Sequence, residues 1–456
     1  MYRKLNLLIV VSFITLVAVA QPGYKYRILL TDKNKTAFSL DKPEQFLSQK
    51  ALDRRKRQHI KIDSTDLPVC EAYVEAIERQ GVKVVAKGKW NNFVTVACSD
   101  TTLMHDMAQF PFVRSVKRVW IEPEGMENQV LTRDTLINQY EEIDSLYYGV
   151  GSRQIEISNA DKLHQLGFRG EGMEIAVIDA GFHNLDSITL LDNVLIAGRK
   201  DFVNPTGNLY LEHSHGLGVL SCMAANKPKV MVGTAPEATY WLLRSEDERS
   251  EHLVEQDYWA AAVEYADSVG VDVINTSLGY HSFDDDSQNY TYRDLDGEQA
   301  LISRQASMVA DKGMVLVCSA GNTGANSWKK ITTPGDANSV LTVGAIDSNG
   351  VLAPFSAVGN TVDGRIKPDV VAVGRYAYVV SSYGTITPAN GTSFASPILC
   401  GMVTCLWQAL PHLTAREIVE LVRQSGDRVL YPDNIYGYGI PDFWKAYQLG
   451  KEKDEQ

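Results

Sequence analysis

The sequence predicts an α/β fold, with a mainly parallel sheet flanked by helices, preceded by a small α+β unit. Three observations predict it. Apolar runs at Glu174–Asp179, Val273–Thr276 and Val315–Ser319 read as buried strands, each followed by a small-residue turn. Helical stretches alternate with them, the longest an apolar one from about Phe394 to Leu410. Residues 24–123 carry a denser alternation of short strands and helices, with charge of the opposite sign.

The chemistry is concentrated at Asn390-Gly391-Thr392-Ser393-Phe394-Ala395-Ser396-Pro397, where a small-residue loop enters the apolar helix. Pro397 is expected in its first turn. Ser393 then lies at a helix N-terminus, where free N–H groups favour negative charge. A serine nucleophile suits that place, and so does a simple helix cap. Ala395 excludes the Gly-x-Ser-x-Gly elbow of the α/β-hydrolases. A base and its orienter are present elsewhere. Asp179 ends one strand, where parallel sheets place ligand sites. His215-Gly216-Leu217-Gly218 opens a helical segment, Ser277-Leu278-Gly279 follows a second strand, and Ser319-Ala320-Gly321-Asn322 ends a third.

These four motifs, in this order across residues 154–447, resemble the subtilisin-like serine proteases, the subtilases. The resemblance implies a subtilisin-like domain with Asp179 as orienting acid, His215 as general base, Ser393 as nucleophile and Asn322 as side-chain oxyanion donor. Ser277, Leu278, Gly279, Ser319, Ala320 and Gly321 match the two strands flanking the substrate, with Thr332 and Thr333 at the base of a neutral first pocket. Two departures stand out. Ala180 replaces the usual hydroxyl residue beside the acid, and Leu217-Gly218 replaces a hydroxyl and a second imidazole after the base. Both touch the support of the acid and base rather than their identity.

In chain order, residues 1–20 carry Arg3 and Lys4, an apolar run and Ala18-Val19-Ala20, the pattern of a secretory signal peptide. The apolar run is shorter than the ~20 residues a membrane span needs. A secreted or periplasmic protein with no membrane anchor after signal removal is expected. Residues 21–125 resemble a subtilase propeptide, a ferredoxin-like inhibitor domain. Strands are expected at Tyr24–Thr31, within Val82–Cys98 around a Trp90-Asn91-Asn92 turn, and at Val113–Ile121. Helices are expected at Pro43–Arg57, Glu71–Gln80 and Thr102–Met107. The run Arg54-Arg55-Lys56-Arg57 reads as a solvated helix face, ahead of a processing site or nucleic-acid patch. Residues 126–153 form a linker, 154–450 the catalytic domain, and 451–456 a charged tail.

Charge separates the parts. Residues 21–125 hold 18 Lys and Arg against 13 Asp and Glu, a net +5. The whole chain carries −12 and its first 20 residues +2, leaving −19 on the remainder. Opposite charges steer the two parts together, and the acidic main domain excludes nucleic acid as a partner. The partners expected are protein or peptide substrates and the chain's own propeptide as inhibitor.

No cofactor is required for the chemistry. The resemblance allows structural calcium, but the acidic insertion with Asp284-Asp285-Asp286 and Asp294-Leu295-Asp296 lacks EF-hand spacing and reads as a solvated loop. Cys70, Cys98, Cys222, Cys318, Cys400 and Cys405 lack a disulfide pattern and read as packed thiols. His213, His183 and His281 are unassigned, and no histidine pair has zinc spacing. Two other classes compete with a peptidase: a non-catalytic peptide-binding homologue and a serine esterase. The complete Asp, His, Ser set opposes the first, and the missing elbow opposes the second.

Overall fold

The computed structural model describes residues 23–123, 125 and 132–454. The signal-peptide reading of residues 1–20 lies outside them. The amino-terminal unit is a four-stranded antiparallel sheet of β1 (Tyr24–Leu30), β2 (Lys83–Gly88), β3 (Phe93–Cys98) and β4 (Val113–Ile121), ordered β2-β3-β1-β4. Three helices accompany it: α1 (Gln49–Arg57), α2 (Glu71–Glu78) and α3 (Leu103–Met107). The helix expected over Pro43–Arg57 is broken. A 3₁₀ turn covers Pro43–Gln45, and α1 restarts after Ser48, whose hydroxyl accepts from the Ala51 N–H at 3.2 Å.

The main domain is built on a seven-stranded parallel sheet. Its strands are β5 (Glu174–Asp179), β6 (Leu195–Asp201), β7 (Thr239–Arg244), β8 (Val273–Thr276), β9 (Val315–Ser319), β10 (Leu341–Ile346) and β11 (Val370–Val373). The order is β11-β10-β9-β8-β5-β7-β6, so β8 lies between β5 and β9, with Val273 level with Ile175 and Val315. Side chains alternate between the two faces. Ile175, Val177 and Val317 pack against α4 (His215–Ala224) and α6 (Thr392–Ala409). Ala176, Ile178 and Leu316 pack against α5 (Val254–Val269). Each face buries an apolar layer, which is why these strands read as unbroken hydrophobic runs.

The outer side of α5 carries the amino-terminal sheet. Ala86, Trp90 and Val119 join the apolar cluster of α5. Three buried carboxylates on the same helix receive polar groups of the small domain. Asp257 pairs with Arg27, and Glu264 accepts the N–H groups of Lys89 and Trp90 at 2.6 and 2.9 Å. Asp267 binds Arg54 at 2.5 Å and Arg55 at 2.8 Å. The solvated-face reading of Arg54-Arg55 is therefore wrong: both are buried, and Arg54 also donates to the Val271 and Lys312 carbonyls. Arg57 remains exposed. Burying two guanidiniums is tolerable because carboxylates and carbonyls replace their water.

A short helix at Ser152–Glu156 spans the expected boundary between linker and catalytic domain, and the final helix, Phe443–Asp454, continues through Lys451. Thr414 forms a capping box with Glu417 at the start of the helix Ala415–Ser425. All six cysteines are free. The aspartates of the acidic insertion cap local turns: Asp285 accepts from Ser287, and Asp296 from Glu298 and Gln299. Among the described residues no three His, Cys, Asp or Glu side chains gather to hold an ion. No helix among them is long and apolar enough to cross a membrane.

Candidate active site

The carboxyl ends of β5, β8 and β9 meet the N-termini of α4 and α6. Asp179, the last residue of β5, is fully buried. Its Oδ1 accepts the Ala180 N–H at 2.8 Å and lies 2.7 Å from His215 Nδ1. Gly216 makes this approach possible, since a Cβ there would stand 2.9 Å from the Asp179 Cβ and 2.5 Å from the Gly181 carbonyl. Asp179 Oδ2 is buried with no hydrogen-bond partner, beside Ala180, where sequence reasoning noted the lost hydroxyl. Burial pulls the His215 pKa down, but the Asp179 charge and hydrogen bond outweigh it, and the net shift is upward.

Ser393 lies in the first turn of α6, which starts at Thr392. Its side chain does not cap the helix. The hydroxyl donates to the Ser277 carbonyl at 3.2 Å. Because the helix starts at Thr392, Pro397 falls in its second turn, not the first as expected. A proline there has no N–H for the carbonyl four residues back. That carbonyl belongs to Ser393, and the Ser277 hydroxyl donates to it at 2.8 Å instead. Asn275 holds Ser277 through a 3.0 Å bond and accepts from Ser396 at 2.8 Å. A buried polar chain thus anchors the turn that carries Ser393.

Asn322 follows β9, and its orientation is fixed. Its Oδ1 accepts from the Thr392 N–H at 2.9 Å and the Thr392 hydroxyl at 3.0 Å. The backbone donor identifies that atom as oxygen, so the amide NH₂ is left for the open side. Gly321 adopts a left-handed conformation (φ 105°), and its N–H donates to the Thr392 hydroxyl.

His215, Ser393 and Asn322 line one cavity of about 320 Å³ with Ser277, Leu278, Gly279, Ser319, Gly321 and Thr332. Ala320 is not part of it; it is buried against Leu295, Ile331 and Ala357. Thr333 also turns away, bonding the Tyr280 carbonyl. Sequence reasoning missed Glu246, Glu248, Glu251 and His281, which line the same cavity. The three glutamates lie in the loop between β7 and α5, a stretch with no motif, and only its run of acids could have drawn notice. Burial raises the Glu251 pKa to about 7, helped by Glu248 and Asp284. Glu246 is pushed well above the carboxylate range, chiefly by burial and then by Glu251. A second cavity of about 500 Å³ adjoins, lined by Thr132, Asp134, Ala180, His183, His213 and Ser214. There Asp134 accepts from the Ser382 hydroxyl at 2.5 Å, and its carbonyl accepts from Asn184 at 3.0 Å.

Comparison with known proteins agrees with the fold. Residues 170–439 match the Subtilase family model (Peptidase S8), and residues 25–131 match the Peptidase S8 propeptide domain of Bacteroidota. Serine protease AprX of Bacillus subtilis is 29% identical over 321 residues, covering 62% of this chain and 68% of that protein. Subtilisin DY of Bacillus licheniformis is 28% identical over 296 residues, covering 64% of this chain and 97% of that protein. The solved MycP3 protease of a type VII (ESX-3) secretion system shares the fold, with a TM-score of 0.53 at 23% identity over 68% of this chain and 91% of that one. The chain belongs to the subtilase family of serine endopeptidases and carries a propeptide domain of that family at its amino-terminal side.

Proposed function

We propose that this subtilase is a secreted endopeptidase working through Asp179, His215 and Ser393, with an acyl-enzyme intermediate. One observation carries the reading. The 2.7 Å bond from buried Asp179 to His215 sits beside a cavity that also holds Ser393 and the oriented Asn322 amide. In the resting arrangement the Ser393 hydroxyl donates to the Ser277 carbonyl. Substrate binding would turn that hydroxyl toward the imidazole, as resting active sites often require. His215 then takes the proton while Ser393 attacks a peptide carbonyl. Asp179 fixes the tautomer and stabilises the imidazolium. The Asn322 NH₂ and the Ser393 N–H receive the oxyanion. His215 next protonates the leaving amine, and water releases the acyl group by the reverse route. These steps call on no cofactor.

The amino-terminal domain is proposed to act as an inhibitor released by self-cleavage. Its last strand ends at Ile121, and Thr132 lines the cavity beside His213 and Ser214. The cut is proposed between these points. Secretion is proposed from the sequence of residues 1–20 and the secreted character of subtilisins. The test is a fluorophosphonate probe with a casein zymogram, run on wild type and Ser393→Ala. Labelling and clearing lost together in the variant support the reading; undiminished proteolysis overturns it. Casein cleavage without turnover of short esters separates a peptidase from an esterase. Intact mass of both proteins tests self-cleavage, because only the variant should keep residues 21 to about 125.

A further inference from the structure

The substrate cavity is markedly acidic on one side. Glu246, Glu248 and Glu251 line it together with the catalytic pair. The same three line an adjoining hollow of about 280 Å³ with Asp247, Glu255 and Asp284. Of the nearby cations, Arg249 lines that hollow too, but it and Arg244 are already paired. Arg249 is held by Asp247 at 2.7 and 2.8 Å, and Arg244 binds Asp201 and Glu212 at 3.1 Å each. Glu246 has the Tyr280 hydroxyl, and Glu255 accepts the N–H groups of Asp247 and His252. Neither contact supplies positive charge. The imidazoles nearby are His213, 3.5 Å from Glu248, His252, 3.6 Å from Asp284, and His215 and His281, which line the cavity itself. Burial holds the His252 pKa down, so at neutral pH it offers no cation. Burial first, and then repulsion from the neighbouring carboxylates, raises the pKa values of Glu246, Glu251 and Glu255.

Two further observations point to a polar, cationic occupant. First, the Thr332 hydroxyl is buried, lacks any hydrogen-bond partner and lines the same cavity. It stands 2.1 Å from where a Cβ on Gly279 would lie and 2.8 Å from one on Gly321. It therefore shortens the space beside the two glycines and keeps a long side chain out of that part. Second, the amino-terminal domain itself presents an ammonium to the acidic loop. Lys25 Nζ lies 4.1 Å from the centre of the Trp120 ring, which packs on His252, and it feels the charges of Asp247 and Glu255.

We infer that the cleft selects peptides with a lysine or arginine upstream of the residue that enters beside Gly279 and Gly321, held by Glu248 and Glu251. This rests on the peptidase reading above and adds a substrate class to it. The favoured side chain lies at the second to fourth residue before the scissile bond. Glu246, fixed by Tyr280, and Glu255, fixed by two N–H groups, form the acidic backing, whose ionised form a substrate cation would favour. Removing a propeptide that brings Lys25 and Trp120 to this loop would leave the same surface open to a substrate cation.

The test uses the full chain after maturation, with active sites counted by fluorophosphonate labelling. Quenched peptides differing only by Lys or Gln at the second, third or fourth upstream position are compared. Wild type should cleave the best Lys peptide about ten-fold faster in kcat/KM, the order expected for one charge-assisted contact. That ratio should fall towards one in Glu248→Gln/Glu251→Gln. If the double variant does not fold, the salt series on wild type decides, since the preference should shrink as ionic strength rises. Labelled enzyme that cleaves Gln peptides as well as Lys peptides at every position overturns the inference and leaves the peptidase intact. A preference that survives both glutamine substitutions overturns it equally. Matured protein that neither labels nor cleaves any peptide sinks the peptidase reading, and this one with it.

Discussion

Two acidic regions of the molecule are handled in opposite ways. On α5, Asp267 is fully buried, and Arg54, Arg55 and Lys89 surround it. Burial alone would raise its pKa, but the three cations drive it well below the carboxylate range. Nearer its start, Glu255 in the first turn of the same helix and Glu246 and Glu251 in the loop before it form no ion pair among the described residues, and burial raises their pKa values. The difference separates a satisfied contact from an open one. Paired carboxylates fasten the amino-terminal domain, while unpaired ones store a preference for a positive ligand. The pH consequences also differ in sign. Asp267 stabilises the docked state above the ordinary aspartate pKa, and this is lost only as pH falls through its depressed value. Glu251 binds more protons folded than unfolded, so its contribution declines as pH rises from the ordinary glutamate range through about 7.

The sharpest way to break the comparison is to neutralise a paired acid at each place. In the site, Asp179→Asn should lower kcat by about 10⁴, the size known for a triad aspartate in another serine protease, with little change in KM. A loss below ten-fold would show that Asp179 does not orient His215. At the domain contact, Asp267→Asn strands Arg54 and Arg55, and breaking a buried pair costs about 3–5 kcal/mol. Made in the uncleaved Ser393→Ala chain, it should lower the unfolding midpoint of the amino-terminal domain by several degrees. An unchanged midpoint would mean these ion pairs contribute nothing net to docking.

Smaller changes sharpen the site's side of the contrast. Asn322→Ala should reduce kcat by about 10²–10³, the cost known for the side-chain donor of subtilisin, because the amide acts on the oxyanion. A raised KM at constant kcat would make Asn322 a binding residue instead. The pH profile follows from His215. A general base must be neutral, and Asp179 lifts its pKa above the ordinary value of about 6.5. The acid limb of kcat/KM should therefore fall above that value, activity rising with pH through it. Asp179→Asn should move the limb downward in the residual activity, and a limb that stays fixed would place the titration on another group.

How much of this was legible in the sequence depended on whether a local pattern carried the information. The strand ends holding Asp179, Ser277 and Asn322 were visible because parallel strands are apolar runs that stop at polar, small-residue turns. The β4 boundaries, Val113–Ile121, could be read directly. Arg54 and Arg55 were misread because a basic run is normally solvated, and their shared partner Asp267 lies more than 200 positions away. A clue existed in Asp257, Glu264 and Asp267, which fall on one side of an otherwise apolar helix at helical spacing. The acidic wall of the cleft had no such clue, since Glu246 and Glu251 face Ser393 only through the fold. Pro397 was placed one turn too early because the helix begins at Thr392, two residues before the apolar stretch on which it was drawn.

That misplaced proline leads to the most discriminating, if smallest, prediction. Inside α6 it removes the N–H that would bond the Ser393 carbonyl, and the Ser277 hydroxyl fills the vacancy. Ser277→Ala would leave a carbonyl in the nucleophile's own peptide unit without a partner, a cost of about 1–3 kcal/mol if water cannot enter. The burden falls on the turn that presents Ser393, so kcat should drop about ten-fold while KM moves little. Pro397→Ala supplies the ordinary helical donor to the same carbonyl. Alone it should change kcat slightly, since Ser277 already serves. Combined with Ser277→Ala it should recover most of the lost rate, giving a coupling of about 1 kcal/mol in a double-mutant cycle. Simple additivity of the two substitutions would mean that Ser277 acts on substrate rather than on the Ser393 carbonyl, and the positioning role assigned to it would be wrong.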